Sequence, residues 1–132
     1  MAKVTEEIKE SLKGTKIAFL ATASKDGTPN VVPIAALKFL DDETLLISDQ
    51  YFGKTLKNLL ENPKIALTWW GDKGGFQIKA DIAIHTDGEI FRQNVEWVHS
   101  IKETLNPKSA IVGKITAVYI VKSGPDAGKK IL

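Results

Sequence analysis

The sequence contains no cysteine. That excludes disulfides, thiol nucleophiles, thiolate metal sites and iron–sulfur clusters. Histidine occurs only twice, at His85 and His99, and without thiols to complete a ligand set no metal site is expected. No Ser/His/Asp string marks a nucleophile, so no catalytic side chain is assigned. No apolar run approaches the roughly 20 residues that span a bilayer, and Met1–Glu7 lacks the apolar core of a signal peptide. A cytoplasmic protein with no membrane partner is the expectation. An excess of one charge is also missing: 18 Lys and Arg face 16 Asp and Glu, for a net charge of +2. That is too small a basic footprint for a nucleic-acid partner. Lys38, Lys57, Lys73 and Lys79 could form a basic rim, but an ordinary solvated face is the better reading.

What is present is enough for one core. The chain has 132 residues, 43% hydrophobic and 26% charged, which predicts a single domain over residues 1–132. Val4, Ile8 and Leu12 are spaced for a short helix that Gly14 ends. Lys16–Ala23 reads as a strand and Ser24–Gly27 as a hairpin turn, with Asp26-Gly27 supplying the positive φ. The next strand runs from about Pro29 to Leu40, with Pro33 inside it marking an edge, bulge or bend. Leu45–Ile47 is a buried strand. Leu56, Leu59 and Leu60 repeat at helical spacing until Asn62-Pro63. Lys64–Trp70 and Phe76–Ile84 are strands around a glycine-rich loop. A helix of about Glu89–Leu105 carries Phe91, Val95, Val98, Ile101 and Leu105 on one stripe. Ser109–Val121 is the last strand. Six strands, mostly antiparallel and joined by tight turns, predict a small barrel with flanking helices.

The segment from Leu45 to Leu60 organises the chain: strand, turn, then a helix opening at Gly53-Lys54-Thr55. The first amides of a helix lack intrahelical partners and carry partial positive charge. A lysine and a threonine hydroxyl there make a phosphate seat. A plain helix start with a solvated lysine fits the same three residues. Ser48–Thr55 imitates a Walker A loop, but Ser48 stands where that loop needs its first glycine, and the following chain is β-rich. An NTPase is therefore disfavoured.

The order of elements and several strings resemble the flavin-binding split barrels of the pyridoxamine-phosphate-oxidase-like family, and among them the small FMN-binding proteins of anaerobes. The strings are Asp26-Gly27 before a proline-containing strand, Lys54-Thr55-Leu56 with Asn58, Leu59, Asn62-Pro63 and Ile65, Phe76-Gln77-Ile78-Lys79 with Thr86-Asp87-Gly88, and Gly124–Lys130. The resemblance covers Lys16 to the C-terminus. It implies a six-stranded antiparallel split β-barrel, and a homodimer with FMN at the subunit interface. It implies backbone contacts from Val31, Val32 and Pro33 to the isoalloxazine ring. Ser48, Asp49, Lys54 and Thr55 would hold the ribityl chain and phosphate, and Gln77 would reach the ring's polar edge. Asp49 would repel a phosphate if aimed inward, so its backbone is the better ligand. The family's oxidases carry an arginine just before the lysine; here Phe52 and Gly53 stand there, which weakens a vitamin B6 reading.

Two function classes follow. One is a flavin-dependent oxidoreductase passing electrons from a reduced donor such as NAD(P)H to an acceptor. The other is an FMN carrier or electron-transfer protein, served by a small-molecule donor or a redox protein. Trp69 and Trp70 must point to opposite faces of their strand, one into the core and one toward a subunit contact or the flavin. Trp97 reads as packing or a subunit contact.

Overall fold

The computed structural model describes residues 3–72 and 74–132; Lys73 of the basic rim and the Met1-Ala2 start lie outside them. Among the described residues seven strands form one sheet: β1 (Ala18–Ala23), β2 (Pro29–Ile34), β3 (Leu37–Phe39), β4 (Thr44–Asp49), β5 (Lys64–Gly71), β6 (Gly74–His85) and β7 (Ser109–Ile120). Three helices flank it: α1 (Glu6–Lys13), α2 (Lys54–Glu61) and α3 (Gly88–Ile101). The expected six strands are thus corrected to seven. The predicted Pro29–Leu40 strand breaks at Ala35-Ala36, and its two halves join opposite edges of the sheet. Pro33 has no N–H to offer a neighbour on its open side, in keeping with an edge position.

The sheet order is β2-β1-β5-β6-β7-β4-β3, and every pairing is antiparallel. The edge strands β2 and β3 are neighbours in sequence, with only Ala35 and Ala36 between them. Two residues reach only about 7 Å beyond the strand ends, so the sheet must curl until its edges nearly meet. They do not pair with each other, which leaves a split barrel. Curling needs bends in the long strands. β6 supplies one as a register shift at Lys79/Ala80, the signature of a bulge. Opposite it, a Cβ at Gly113 would lie 3.2 Å from the Ala80 Cβ, so glycine lets the strands approach.

Inward-facing residues alternate along the strands and meet in one core. Leu20, Leu45, Ile47, Leu67, Trp69, Ile78, Ile111, Ile115 and Val118 are all buried there. α1 closes one end with Val4, Ile8 and Leu12. It begins at Thr5, whose Oγ1 accepts from the Ile8 amide (3.4 Å), and Glu6 and Glu7 favour its positive end. Trp69, the inward indole, donates from Nε1 to Ser11 Oγ at 2.8 Å and so ties α1 to β5. Trp70 faces outward and is 56% exposed.

α2 packs differently from the reading of its leucines. Only Leu59 is fully buried, while Leu60 is exposed; Thr55 and Asn58 complete the inward face. α3 ends at Ile101, four residues short of the expected Leu105. A turn with Leu105 N–H on the Lys102 carbonyl follows, and only Asn94 and Val98 of the helix are buried. Among the described residues, no helix is long and apolar enough to cross a membrane.

Candidate functional site

A cavity of about 520 Å³ opens beside the end of β2 and its link to β3, within the usual range for small-molecule sites. One wall is the end of β2 and its continuation, Val32–Ala36. The floor is Ser48 and the loop Gln50–Gly53, and the first residues of α2 close one end. Val98, Ile101 and Leu105 form the opposite wall. Most of this lining is apolar. Its polar groups gather around Ser48, Gln50, Lys54 and Thr55.

The loop conformation follows from buried polar contacts. Asp49 is wholly buried. It accepts from the Phe52 amide through Oδ1 (2.9 Å) and from Ser109 Oγ through Oδ2 (2.9 Å). Lys108 donates from Nζ to the Phe52 carbonyl (3.0 Å) and sits 3.8 Å from the same carboxylate. The loop is therefore held from behind, and α2 starts at a fixed place and angle. At that start no side chain caps the helix; the N-cap is Gly53, with open space where a Cβ would be. The first amides face the cavity end uncapped, and among the described residues Lys54 makes no ion pair. An uncapped helix start beside an unpaired lysine is arranged to receive an anion.

Thr55 is 2% exposed yet lines the cavity. Its Oγ1 accepts from Asn30 Nδ2 (3.0 Å), whose other amide hydrogen goes to Thr22 Oγ1 (3.1 Å). Asn58 Nδ2 also donates to Thr22 Oγ1 (3.0 Å). Deeper in the floor, Ser48 donates to Gln50 Oε1 and accepts from Asn94 Nδ2 (2.9 Å). Asn94 Oδ1 is buried and has no partner among the described residues.

Of the residues singled out from the sequence, the cavity brings together Val32, Pro33, Ser48, Lys54 and Thr55. Three others do not line it. Val31 points outward from β2 and is 63% exposed. The side chain of Asp49 turns away behind the loop, and its carbonyl is taken by the Lys108 amide (2.7 Å). Gln77 lies on β6 opposite Thr68 and Tyr119, on the outer face of the sheet. The sequence reading passed over the wall from α3 and the exposed Tyr51. In the sequence Val98, Ile101 and Leu105 read only as the apolar stripe of a helix, and that stripe was the available signal. Trp97 stays outside the cavity, with Lys38 Nζ 4.6 Å from its ring.

Comparison with known proteins agrees with this geometry. A family model described as pyridoxamine 5'-phosphate oxidase matches residues 4–122. Uncharacterized protein MJ0282 of Methanocaldococcus jannaschii is 48% identical over 134 residues, covering 99% of this chain and 89% of that protein. The crystal structure of Group A Streptococcus HupZ superposes with a TM-score of 0.81 at 23% identity, covering 95% of this chain and 99% of HupZ. An FMN-binding protein from Syntrophomonas wolfei gives a TM-score of 0.74 at 20% identity, covering 90% of this chain and 86% of that one. Strand order, split edges and matched sequence together make this chain a member of the pyridoxamine 5'-phosphate oxidase-like family of split barrels.

Proposed function

We propose that the chain binds FMN and works as a flavin-dependent oxidoreductase, taking electrons from a reduced donor such as NAD(P)H. The observation that carries this is the union, in one cavity, of an uncapped helix start bearing Lys54 and Thr55 with an apolar recess large enough for a flat ring. The S. wolfei relative is named for FMN binding, which supports the choice of ligand. Phosphate at α2 would meet the helix amides, the Lys54 ammonium and the Thr55 hydroxyl. The ring would lie along Val32–Ala36 against Val98 and Ile101, with Ser48 and Gln50 beside the ribityl chain.

Magnitudes require both ends of the site. A charge-assisted hydrogen bond contributes about 1.5–3 kcal/mol, and a helix N-terminus about 0.3–1, or ~2 when partly buried. Micromolar affinity needs about 8 kcal/mol, so apolar burial of the ring must supply the remainder.

When bound, the flavin supplies the electron chemistry. The chain's own residues orient the ring, exclude water and neutralise the phosphate. Among the described lining residues there is no Asp, Glu or His, which fits chemistry that asks no side chain for a proton. The same observation favours a second reading, an FMN carrier or electron-transfer protein. A pyridoxamine-phosphate-oxidase activity is the weaker alternative, since Phe52 and Gly53 put no arginine at the seat.

A second copy of the chain completes this reading. Val31 and Gln77 lie on the outer face with Phe19 and Trp70. Two copies packed by that face would bring such residues to each other's flavin.

The test begins with the absorption spectrum of the purified protein and titration with FMN and riboflavin. Tight FMN binding, with Lys54→Ala weakening FMN far more than riboflavin, is expected. Equal losses would place the phosphate elsewhere. Stopped-flow reduction by NADH or NADPH then separates reductase from carrier, and a flavin that neither nucleotide reduces would end the oxidoreductase reading.

A further inference from the structure

We infer that Asn30 is a positioning residue that makes the Thr55 hydroxyl an obligate donor into the cavity, so that the seat selects a phosphate dianion. This rests on the phosphate seat proposed above and deepens it. A threonine hydroxyl has one proton and two lone pairs. Which of these faces a ligand depends on what its other neighbours take.

The polarity follows from the orientation of the Asn30 amide, whose nitrogen faces both threonine hydroxyls. Thr22 Oγ1 accepts from Asn58 Nδ2 (3.0 Å) and from Asn30 Nδ2 (3.1 Å). Both of its lone pairs are used. The Asn30 amide nitrogen has one hydrogen left, and it goes to Thr55 Oγ1 at 3.0 Å. Thr55 therefore receives at that side and cannot send its proton back along the same line. No other acceptor for that proton is found among the described residues. The direction left is the cavity that Thr55 lines. A fixed donor next to the Lys54 ammonium and uncapped amides is complementary to a group that only accepts. A phosphate dianion is such a group, and its monoanion brings a proton with no acceptor to meet it. Asn30 is not among the cavity's lining residues; it acts through Thr55.

The experiment measures FMN and riboflavin binding in four variants, with thermal melts for each. Asn30→Ala should weaken FMN by roughly tenfold, the scale of one lost hydrogen bond to a charged group, and leave riboflavin unchanged. Thr55→Val should do the same, and the double variant should bind no worse than Thr55→Val alone, because the amide works only through the hydroxyl. Asn58→Ala removes the Thr22 contact without touching Thr55. It should lower the melting temperature while keeping the ratio of FMN to riboflavin affinity. The pH profile gives an independent reading. In wild type, FMN affinity should fall as pH drops through the second phosphate pKa near 6; in Asn30→Ala the freed hydroxyl can turn to accept, and the fall should be shallower.

If Asn30→Ala does not fold, Asn30→Asp takes its place. Its selective loss of FMN should vanish in a Thr55→Val background, whereas direct charge repulsion would persist there. Multiplying effects in the double variant, equal losses for both ligands, or an unaltered pH profile would each overturn the inference and leave the seat intact. A wild-type protein that binds riboflavin as tightly as FMN would instead remove the phosphate seat itself.

Discussion

Asp49 lies within a few residues of the proposed anion seat without opposing it, because its charge is already committed. Its oxygens hold the Phe52 amide and the Ser109 hydroxyl, with the Lys108 ammonium nearby. Asp49→Ala would leave two donors without their acceptor, at about 1–3 kcal/mol for a buried unsatisfied group. Urea denaturation should show that loss, and FMN affinity should fall with it because the loop that aims α2 is released. A variant as stable as wild type would mean the carboxylate is not the loop's anchor. Asp26 allows a pH test at the first hairpin. Its carboxyl is held below the usual range, first by the Ser24 hydroxyl, then by the Thr28 hydroxyl and amide. A folded pKa lower than the unfolded one gives stability that is fully present above the unfolded value near 4 and lost as pH falls through the folded value. The difference in melting temperature between wild type and Asp26→Ala should therefore exist at pH 7 and close below about pH 4. A difference indifferent to pH would assign the effect to backbone conformation.

Elements were legible where local pattern and tertiary role agree. Ser24–Gly27 forms the turn its Asp-Gly announces, with Gly27 at φ 90°, and α2 begins at Lys54 as the helix start requires. The strand of Pro29–Leu40 was misread because periodicity cannot reveal that its halves belong to opposite sheet edges; only closure of the whole sheet decides that. α3 was overextended because Leu105 continues the apolar spacing, although it packs from a turn after the helix. The network of Thr22, Asn30, Thr55 and Asn58 left no trace in the pattern, since its members lie on three elements and meet only in space. Contacts between elements make sharp predictions. A Cβ at Gly75 would lie 2.6 Å from the Trp69 carbonyl oxygen, and backbone so placed cannot yield cheaply. Gly75→Ala should lose about 1–3 kcal/mol or more through overpacking. Ser11→Ala should lose a similar ~1–3 kcal/mol by orphaning the buried Trp69 N–H, and should shift tryptophan emission. Neutral values in denaturant melts would show that the β5–β6 hairpin and the α1 contact are looser than drawn.

At the scale of the whole molecule, one face of the sheet gathers exposed apolar side chains. Ile17, Phe19, Val31 and Trp70 are each between 47% and 63% exposed, and strand pairing puts Phe19 and Val31 on one face: Phe19 lies opposite Pro33 and Thr68, and Ala21 opposite Val31, with Trp70 two residues on from Thr68. Scattered apolar residues on a surface need no explanation, but a contiguous patch does. A standard interface covers about 800 Å² per partner, roughly a tenth of this chain's 7647 Å². The patch is also continuous with the cavity, because Pro33 belongs to both. Burying the patch against a second copy would stiffen the β2 wall of the cavity and bring Gln77 of one copy toward the other. Phe19→Lys should therefore separate the copies, as sedimentation would show. It should scarcely change the melting temperature of the dissociated protomer, since the side chain lies on the outer face. FMN affinity should fall even though Lys54 and Thr55 are untouched. A wild-type protein that sediments as a monomer would remove the second copy from the account. A monomeric Phe19→Lys that binds FMN as well as wild type would show that one chain completes the site alone.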